Sequence, residues 1–467
     1  MKRTLLVQSN YQLQKKTSAW GVTPPMGLAY IAAVLEKNNV PVKILDANAL
    51  NLSSDEVVFE AKNWQADIIG VSVMTPGHDF AIDVVKKLPK NILSVVGGPQ
   101  ATALPDQLLK DGFKVVTRGE GEFTMLDLAT GKKNEEISGI SYLKNDQVVQ
   151  NDSRALLDPN DLPFPARHLL INNGMDYPYY SGGTQYFPWA RITSSRGCPY
   201  DCNYCNKLIF GRQMRFRTPE NVMAEIDFLV EKYGIKEIMF SDDCFNFDIE
   251  RAKRIFDAIA ARDYKIHIRF SNGLRADKID EEFLKKAKKA GCYYIAFGIE
   301  SGSQEILNKI PKGITLDTIR KAVVMTKRAK IHVTGFFIIG LLWDTCETMQ
   351  KTIDFAKELD LDVASFTIAV PYPGTRMWNI IKEQNGEIFL KKWQDFHHTA
   401  GRGTFCMPGM ATPQEIENMY KMAHREYYFR LSYILRHASK FLSWRKFKLG
   451  TRGLKAILYT QKNKLDF

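Results

Sequence analysis

The stretch Arg191-Ile192-Thr193-Ser194-Ser195-Arg196-Gly197-Cys198-Pro199-Tyr200-Asp201-Cys202-Asn203-Tyr204-Cys205 sets three cysteines within eight residues, spaced Cys-x-x-x-Cys-x-x-Cys, on a loop after a predicted strand, Arg191–Ser194. Thiolates at such short intervals can converge on one metal centre. A closed structural zinc site takes four ligands. Three thiolates on an iron–sulfur cube leave one iron without a protein ligand, and there a small molecule can coordinate and receive an electron. A zinc knuckle or chance spacing are the plainer alternatives. The other four cysteines, Cys244, Cys292, Cys346 and Cys406, show no paired spacing and read as buried or pocket-lining thiols. Seven cysteines, three of them clustered, suit a reducing compartment and a metal, not a secreted disulfide framework.

Downstream, strands alternate with helices. Predicted strands are Glu237–Ser241, Ile266–Phe270, Tyr293–Gly298, His332–Ile339 and Val363–Ala369, with helical patterns such as Pro219–Lys232 and Glu281–Lys289 between them. Six strand–helix units predict a partial or full parallel barrel, whose chemistry sits at the carboxyl ends of the strands. Those ends are rich in polar groups. After the second strand come Asp242 and Asp243, either of which could accept from a ligand cation or cap the next helix. After the third come Ser271, Asn272 and Arg275; the arginine suits a carboxylate as a fork of donors, or a structural salt bridge. After the fourth comes Gly298-Ile299-Glu300-Ser301-Gly302-Ser303, and after the sixth Pro371-Tyr372-Pro373-Gly374-Thr375.

Upstream, Thr4–Val7, Val42–Leu45, Ile68–Val73, Leu93–Val96 and Lys114–Val116 read as strands, with helix-sized stretches between them, Gly27–Lys37 the first. This predicts a doubly wound parallel sheet with helices on both faces. Ligands bind outside the carboxyl ends of such strands. There lie Ser9 and Asn10, Met74-Thr75-Pro76-Gly77, Gly97-Gly98-Pro99-Gln100 and Arg118-Gly119-Glu120-Gly121-Glu122. Their glycines let a large flat ligand approach the backbone.

The 467 residues thus divide into 1–150, a connector at 151–187 with three prolines in Asp158–Pro165, a barrel at 188–395, and a helical region at 396–467. The net charge of +12 is uneven: residues 1–150 are neutral, and residues 411–467 hold +8. In the tail, apolar positions Tyr420, Ala423, Tyr427, Leu431, Ile434, Ala438 and Phe441 recur at helical steps. Cations interleave there with Tyr428, Phe429, Tyr433, Trp444 and Phe447. A stripe packed on the barrel with solvated cations is the leading reading. An anionic membrane surface is the second, and nucleic acid is disfavoured for want of a recognised module. The longest nearly apolar run, Val333–Trp343, is 11 residues, too short for a spanning helix of about 20. The start turns polar too early for a signal peptide. A cytoplasmic enzyme, with a membrane surface as an option, is the expectation.

The cysteine loop resembles that of the radical S-adenosylmethionine (SAM) superfamily, and the resemblance covers about residues 190–380. It implies that Cys198, Cys202 and Cys205 hold a [4Fe–4S] cluster, and that SAM takes the fourth iron by its amino and carboxylate groups. Reductive cleavage then gives methionine and a 5′-deoxyadenosyl radical. Tyr204 matches the residue that packs on the SAM adenine. Asp242 or Asp243, Ser271, Asn272, Arg275, Glu300 and Ser301 match its other contacts. After the fifth strand, Gly340-Leu341-Leu342-Trp343-Asp344-Thr345 departs from the usual Gly-Leu-Pro-Gly-Glu-Thr-like turn.

Residues 1–150 resemble the Rossmann- or flavodoxin-like cobalamin-binding domain found ahead of the barrel in one class of that superfamily. The resemblance implies cobalamin contacts from Ser9, Asn10, Thr75, Gly97, Gly98, Pro99, Gly119 and Glu120. The Asp-x-His-x-x-Gly motif that offers a histidine to cobalt is absent, and His78 is the only histidine in residues 1–150. The implied activity is cobalamin-dependent methyl transfer to an unactivated carbon of a small or lipid-like substrate. A low-potential flavodoxin- or ferredoxin-type donor would supply electrons. The alternative is a ring-forming or oxidative enzyme of the same architecture, like the anaerobic cyclase of bacteriochlorophyll synthesis.

Overall fold

The computed structural model describes residues 1–11, 21–171, 179–397 and 401–438. The first sheet contains β1 (Thr4–Gln8), β2 (Val42–Asp46), β3 (Ile68–Ser72), β4 (Leu93–Gly97), β5 (Val115–Thr117), β6 (Ile140–Lys144) and β7 (Gln147–Gln150), in the order β2-β1-β3-β4-β5-β6-β7. The first five are parallel. Helices cover both faces, so β1 is buried along its whole length, and the central strands read as near-continuous apolar runs. The expected parallel sheet carries one addition. β6 and β7 form an antiparallel hairpin on its edge. Asn145 and Asp146, both left-handed at φ 50° and 60°, make its two-residue turn.

The second sheet runs β8 (Trp189–Ile192), β9 (Glu237–Phe240), β10 (His267–Leu274), β11 (Cys292–Glu300), β12 (His332–Ile339) and β13 (Val363–Ile368), parallel and in chain order. Among the described residues no pairing joins β13 to β8, so the barrel is partial. Side chains alternate along each strand. Ile192, Ile238, Phe240, Ile268 and Phe270 enter the core under the outer helices. Arg191, Met239 and Arg269, paired in register, therefore face the lumen. β8 ends two residues earlier than the sequence predicts, because Ser195 and Arg196 leave the sheet to pair with Phe216 and Arg215.

The connector closes the amino-terminal end of this lumen. Glu237 Oε2 accepts from the Gln185 and Tyr186 amides at 3.0 Å each, and Arg269 Nη1 donates to Gly182 O at 2.8 Å. A short ribbon pairs Gly21–Val22 with Tyr180–Ser181 and ties the connector to the first domain.

Among its described residues the helical tail forms Pro413–Tyr428 and Leu431–Ala438. The chain breaks where Arg430 Nη2 reaches Asp360 at 2.6 Å. Part of the stripe packs on the barrel: the hydroxyls of Tyr427, Tyr428 and Tyr433 donate to the carbonyls of Leu361, Ala364 and Asp362, while Phe429, Leu431 and Ile434 are exposed. Phe441, Trp444 and Phe447 lie outside the described residues. No described helix is long and apolar enough to cross a membrane.

Candidate active site

The cysteine loop leaves the carboxyl end of β8 and is held from several sides. Asp242 Oδ1, just past β9, accepts from Ser194 N (3.0 Å), Ser194 Oγ (2.7 Å) and Ser195 Oγ (2.6 Å). Gly197 has φ 90°, and a Cβ there would stand 2.2 Å from Gln213 O, so only glycine fits. The Arg275 guanidinium lies 3.3 Å over the Tyr200 ring. Met377 N donates to Asn203 O at 2.7 Å, and Asn206 Nδ2 to Pro373 O at 3.2 Å, which ties the loop to the turn after β13.

The three thiols influence one another. Desolvation and then the Cys202 thiol push Cys205 up to about 12, with Cys198 adding to the effect. A hydrogen bond from the buried Cys244 thiol holds Cys198 down at about 6. Among the described residues no three His, Cys, Asp or Glu side chains converge tightly enough for a single ion. A cubane takes each thiolate on a different iron.

Beside the loop, Tyr204 and Glu300 meet. Burial and then the Glu300 carboxylate raise the Tyr204 hydroxyl pKa well above its ordinary value. Glu300 sits at φ 68°, a left-handed conformation unusual for this residue type, and takes Lys312 Nζ at 2.7 Å. A Cβ at Gly298 would stand 2.6 Å from Glu300 Oε1 and 3.0 Å from Lys312 Nζ, so this glycine makes room for the pair. Asp243 is exposed beside the loop; desolvation and then the Asp242 carboxylate raise its pKa. Ser271 Oγ and both side-chain polar atoms of Asn203 are buried without partners, as is Asp242 Oδ2. Asn272 Nδ2 donates to Asp242 O at 2.8 Å.

Two residues of the expected SAM set have other duties. Arg275 is engaged by both Asp277 oxygens (2.8 and 3.0 Å) and Lys312 O (2.9 Å), so the salt-bridge alternative describes it. Ser301 is fully buried, contacts Thr352 Oγ1 at 3.2 Å and accepts from Ser303 N at 3.1 Å.

In the first domain, the strand-end segments gather at one edge of the sheet. Ser9 Oγ is buried without a partner beside Gly77. Gly97 lets Thr117 approach, and Gly98, at φ 97°, lies against Val73 O; Pro99 then starts a short helix. Gly119 N donates to Thr102 Oγ1 at 3.1 Å. Asn10 Nδ2 is held by Asn51 Oδ1 and Leu52 O at 3.1 Å each. Thr75 opens a hydrogen-bonded chain: Thr75 Oγ1 to Gln100 Oε1 (2.9 Å), Gln100 Nε2 to His78 Nδ1 (3.2 Å), and His78 Nε2 to Asp111 Oδ2 (3.2 Å). Both His78 ring nitrogens are thus engaged.

Glu120 is the main correction. It joins the domains instead of standing free for a ligand. Its Oε1 takes Arg196 Nη1 at 2.5 Å, and its Oε2 takes Arg215 Nη1 at 2.7 Å and Leu157 N at 3.1 Å. Glu122 takes Arg196 Nη2 at 2.7 Å. Arg196 lies two residues before Cys198, so this buried network clamps the cysteine loop onto the strand ends of the first domain. Sequence reasoning missed Arg196, Arg215 and Glu122. Two acids in one glycine turn and two arginines flanking the cysteines were the available signal.

Residues 192–356 match the radical SAM superfamily, and residues 16–129 match the B12 binding domain. An uncharacterized methyltransferase of Pyrococcus horikoshii is 33% identical, over 93% of this chain and 94% of its own length. The chain belongs to the cobalamin-binding class of the radical SAM superfamily. Cytidylyl-2-hydroxyethylphosphonate methyltransferase of Streptomyces wedmorensis is 28% identical, over 87% of this chain and 86% of its own. The cobalamin-dependent S-adenosylmethionine radical enzyme OxsB, solved with aqua-cobalamin and SAM, shares the fold at a TM-score of 0.73 and 18% identity, covering 98% of this chain and 72% of its own. The chain is therefore a radical SAM enzyme of the methyltransferase family, and its two domains are of the kinds that take SAM at an iron–sulfur cluster and cobalamin. The residues present fit these groups. Three thiols share one loop, the unpartnered Asn203, Ser271 and Asp242 atoms suit a polar ligand beside it, and an unpartnered Ser9 hydroxyl lies at the strand ends of the first domain.

Proposed function

We propose that this enzyme methylates an unactivated carbon of a small molecule held in the barrel lumen, between the cysteine loop and the first domain. The observation that carries this is the Arg196–Glu120–Glu122 clamp, which fixes the loop against the strand ends of the cobalamin-binding domain. When bound, the cluster supplies the electron that cleaves SAM, and cobalamin supplies a methyl carrier. The chain's own part is to bind, orient and exclude water. Cys198, Cys202 and Cys205 hold the cluster and leave one iron open. Tyr204 packs on the adenine, and Asp243, Ser271, Asn272 and Glu300 take the amino and ribose groups. Gly97, Gly98, Pro99 and Gly119 bring backbone close to the cobalamin, with Ser9 and Thr75 as its polar contacts. His78 is engaged at both ring nitrogens and would not be free to serve the cobalamin. A low-potential flavodoxin or ferredoxin fits the electron requirement.

The test is anaerobic incubation of reconstituted protein with SAM, reductant and cobalamin. Release of both 5′-deoxyadenosine and S-adenosylhomocysteine is expected. 5′-Deoxyadenosine alone, with substrate consumed, would replace methyl transfer by ring formation or oxidation.

A further inference from the structure

Among the described residues, Arg191 presents a guanidinium with no ion-pair partner. It is the third residue of β8 and faces the lumen in register with Met239 and Arg269. Among the described residues its side chain makes one hydrogen bond, from Nη1 to Thr23 Oγ1 of the first domain, at 3.0 Å. Nε is sealed from solvent without a partner. The two nearby acids are engaged elsewhere. Glu237 pairs with Arg269 at 2.9 Å and accepts from Tyr293; Asp46 is held by Ala49 N and Tyr179 Oη at 2.9 Å each. Desolvation depresses the Arg191 pKa and the Arg269 cation adds to this, while only the Tyr11 hydroxyl opposes it.

Other buried arginines differ. Arg251 donates to the carbonyls of Arg217 and Ser194, and Arg118 to those of Ile140 and Asn151. A half-buried cation with its Nε sealed and, among the described residues, neither carboxylate nor carbonyl partner is costly, which makes sense where a ligand completes it. The surroundings suit one. Ser271 and Ser365, on the lumen faces of β10 and β13, have buried hydroxyls without partners.

We propose that Arg191 anchors an anionic group of the substrate, a carboxylate or phosphoryl group, at the lumen wall where the barrel meets the first domain. This rests on the lumen being the substrate chamber. The planar fork of Arg191 binds such a group bidentately, and the unpartnered lumen hydroxyls serve the polar body above it.

The test uses the full chain, with inorganic phosphate and acetate as probes at fixed ionic strength balanced with chloride, read by unfolding midpoint and calorimetry. The wild type is expected to show a saturable rise with at least one probe, and the stronger probe names the group. Arg191→Met is expected to weaken that response at least tenfold, with an anion-free midpoint at or above wild type. Arg191→Gln replaces it if the methionine variant does not fold. Arg191→Lys should fall between. An unchanged titration in both neutral variants, or no saturable response in the wild type, overturns the proposal. So does a tenfold loss of hydroxocobalamin affinity in Arg191→Met, which would give the guanidinium to the cofactor instead. Wild-type SAM cleavage is assayed separately, so a failed function reading leaves the anion result readable.

Discussion

Arg196, two residues before the first cysteine of the loop, is bound at both ends of its fork by the first domain, by Glu120 Oε1 at 2.5 Å and Glu122 Oε1 at 2.7 Å. Glu120 also holds Arg215, so it is the hub of the clamp. Removing one member of a buried ion pair costs about 3–5 kcal/mol. Glu120→Ala takes a carboxylate from two guanidiniums at once, leaving Arg196 only Glu122 and Arg215 only backbone carbonyls, and should lower the unfolding midpoint most. Glu122→Ala leaves Arg196 its bond to Glu120 and should cost less. Thermal unfolding of the two variants decides this, and equal or reversed losses would deny Glu120 its central place.

The cysteine loop makes a sharper prediction. Reconstituted wild type should carry about four irons and four sulfides per chain. Substituting Cys198, Cys202 or Cys205 by Ala should remove the iron and abolish SAM cleavage. Cys406→Ala should keep both, since Cys406 sits in a short ribbon with Glu387 and Ile388. Full iron content and cleavage in Cys202→Ala would end the cluster assignment.

What the sequence made legible and what it hid divide along a physical line. Periodicity and strand-end glycines are local, and they placed both parallel sheets to within a few residues. The Ile140–Gln150 hairpin stayed hidden because its two strands are only five and four residues long, and Asn145-Asp146 is a weak turn signal. Side-chain duties depend on partners far along the chain. Arg275 reads as a ligand fork until Lys312 and Asp277 engage it, and Glu120 until Arg196, 76 residues away, does. Trp343, in the turn that departs from the expected Pro-Gly pattern, adopts the left-handed conformation itself at φ 65°, which composition does not reveal.

Asp46 gives a pH signature. Burial pushes its carboxyl from the ordinary 3.8 up to about 6, against hydrogen bonds from Ala49 N and Tyr179 Oη. The folded state therefore keeps a proton that the unfolded chain has lost. This contribution is fully present below pH 3.8 and is lost as pH rises to about 6. A shift of this size corresponds to about 3 kcal/mol. Asp46→Asn keeps an acceptor for Ala49 N and cannot ionise. Its midpoint relative to wild type should rise between pH 4 and 6 and then level off. A flat difference across that window would show that Asp46 does not titrate there.

Gly298 tests the strand end beside Tyr204. The Glu300–Lys312 pair lies so close that a methyl at this position would meet Glu300 Oε1 at 2.6 Å. Neither partner yields easily, since both are buried and Glu300 is already held at φ 68°. Gly298→Ala should push the carboxylate away from Tyr204 and weaken SAM binding by roughly tenfold, equivalent to about 1.4 kcal/mol. The backbone at Gly298 is not left-handed, so alanine itself adds no strain there, and the loss of folding stability should be smaller than in Glu120→Ala. Equilibrium binding of SAM to the reconstituted protein, beside thermal unfolding, separates the two effects. Unchanged SAM affinity with lowered stability would make the Glu300–Lys312 pair a structural brace. Lowered affinity with near-normal stability would put Glu300 in the SAM pocket.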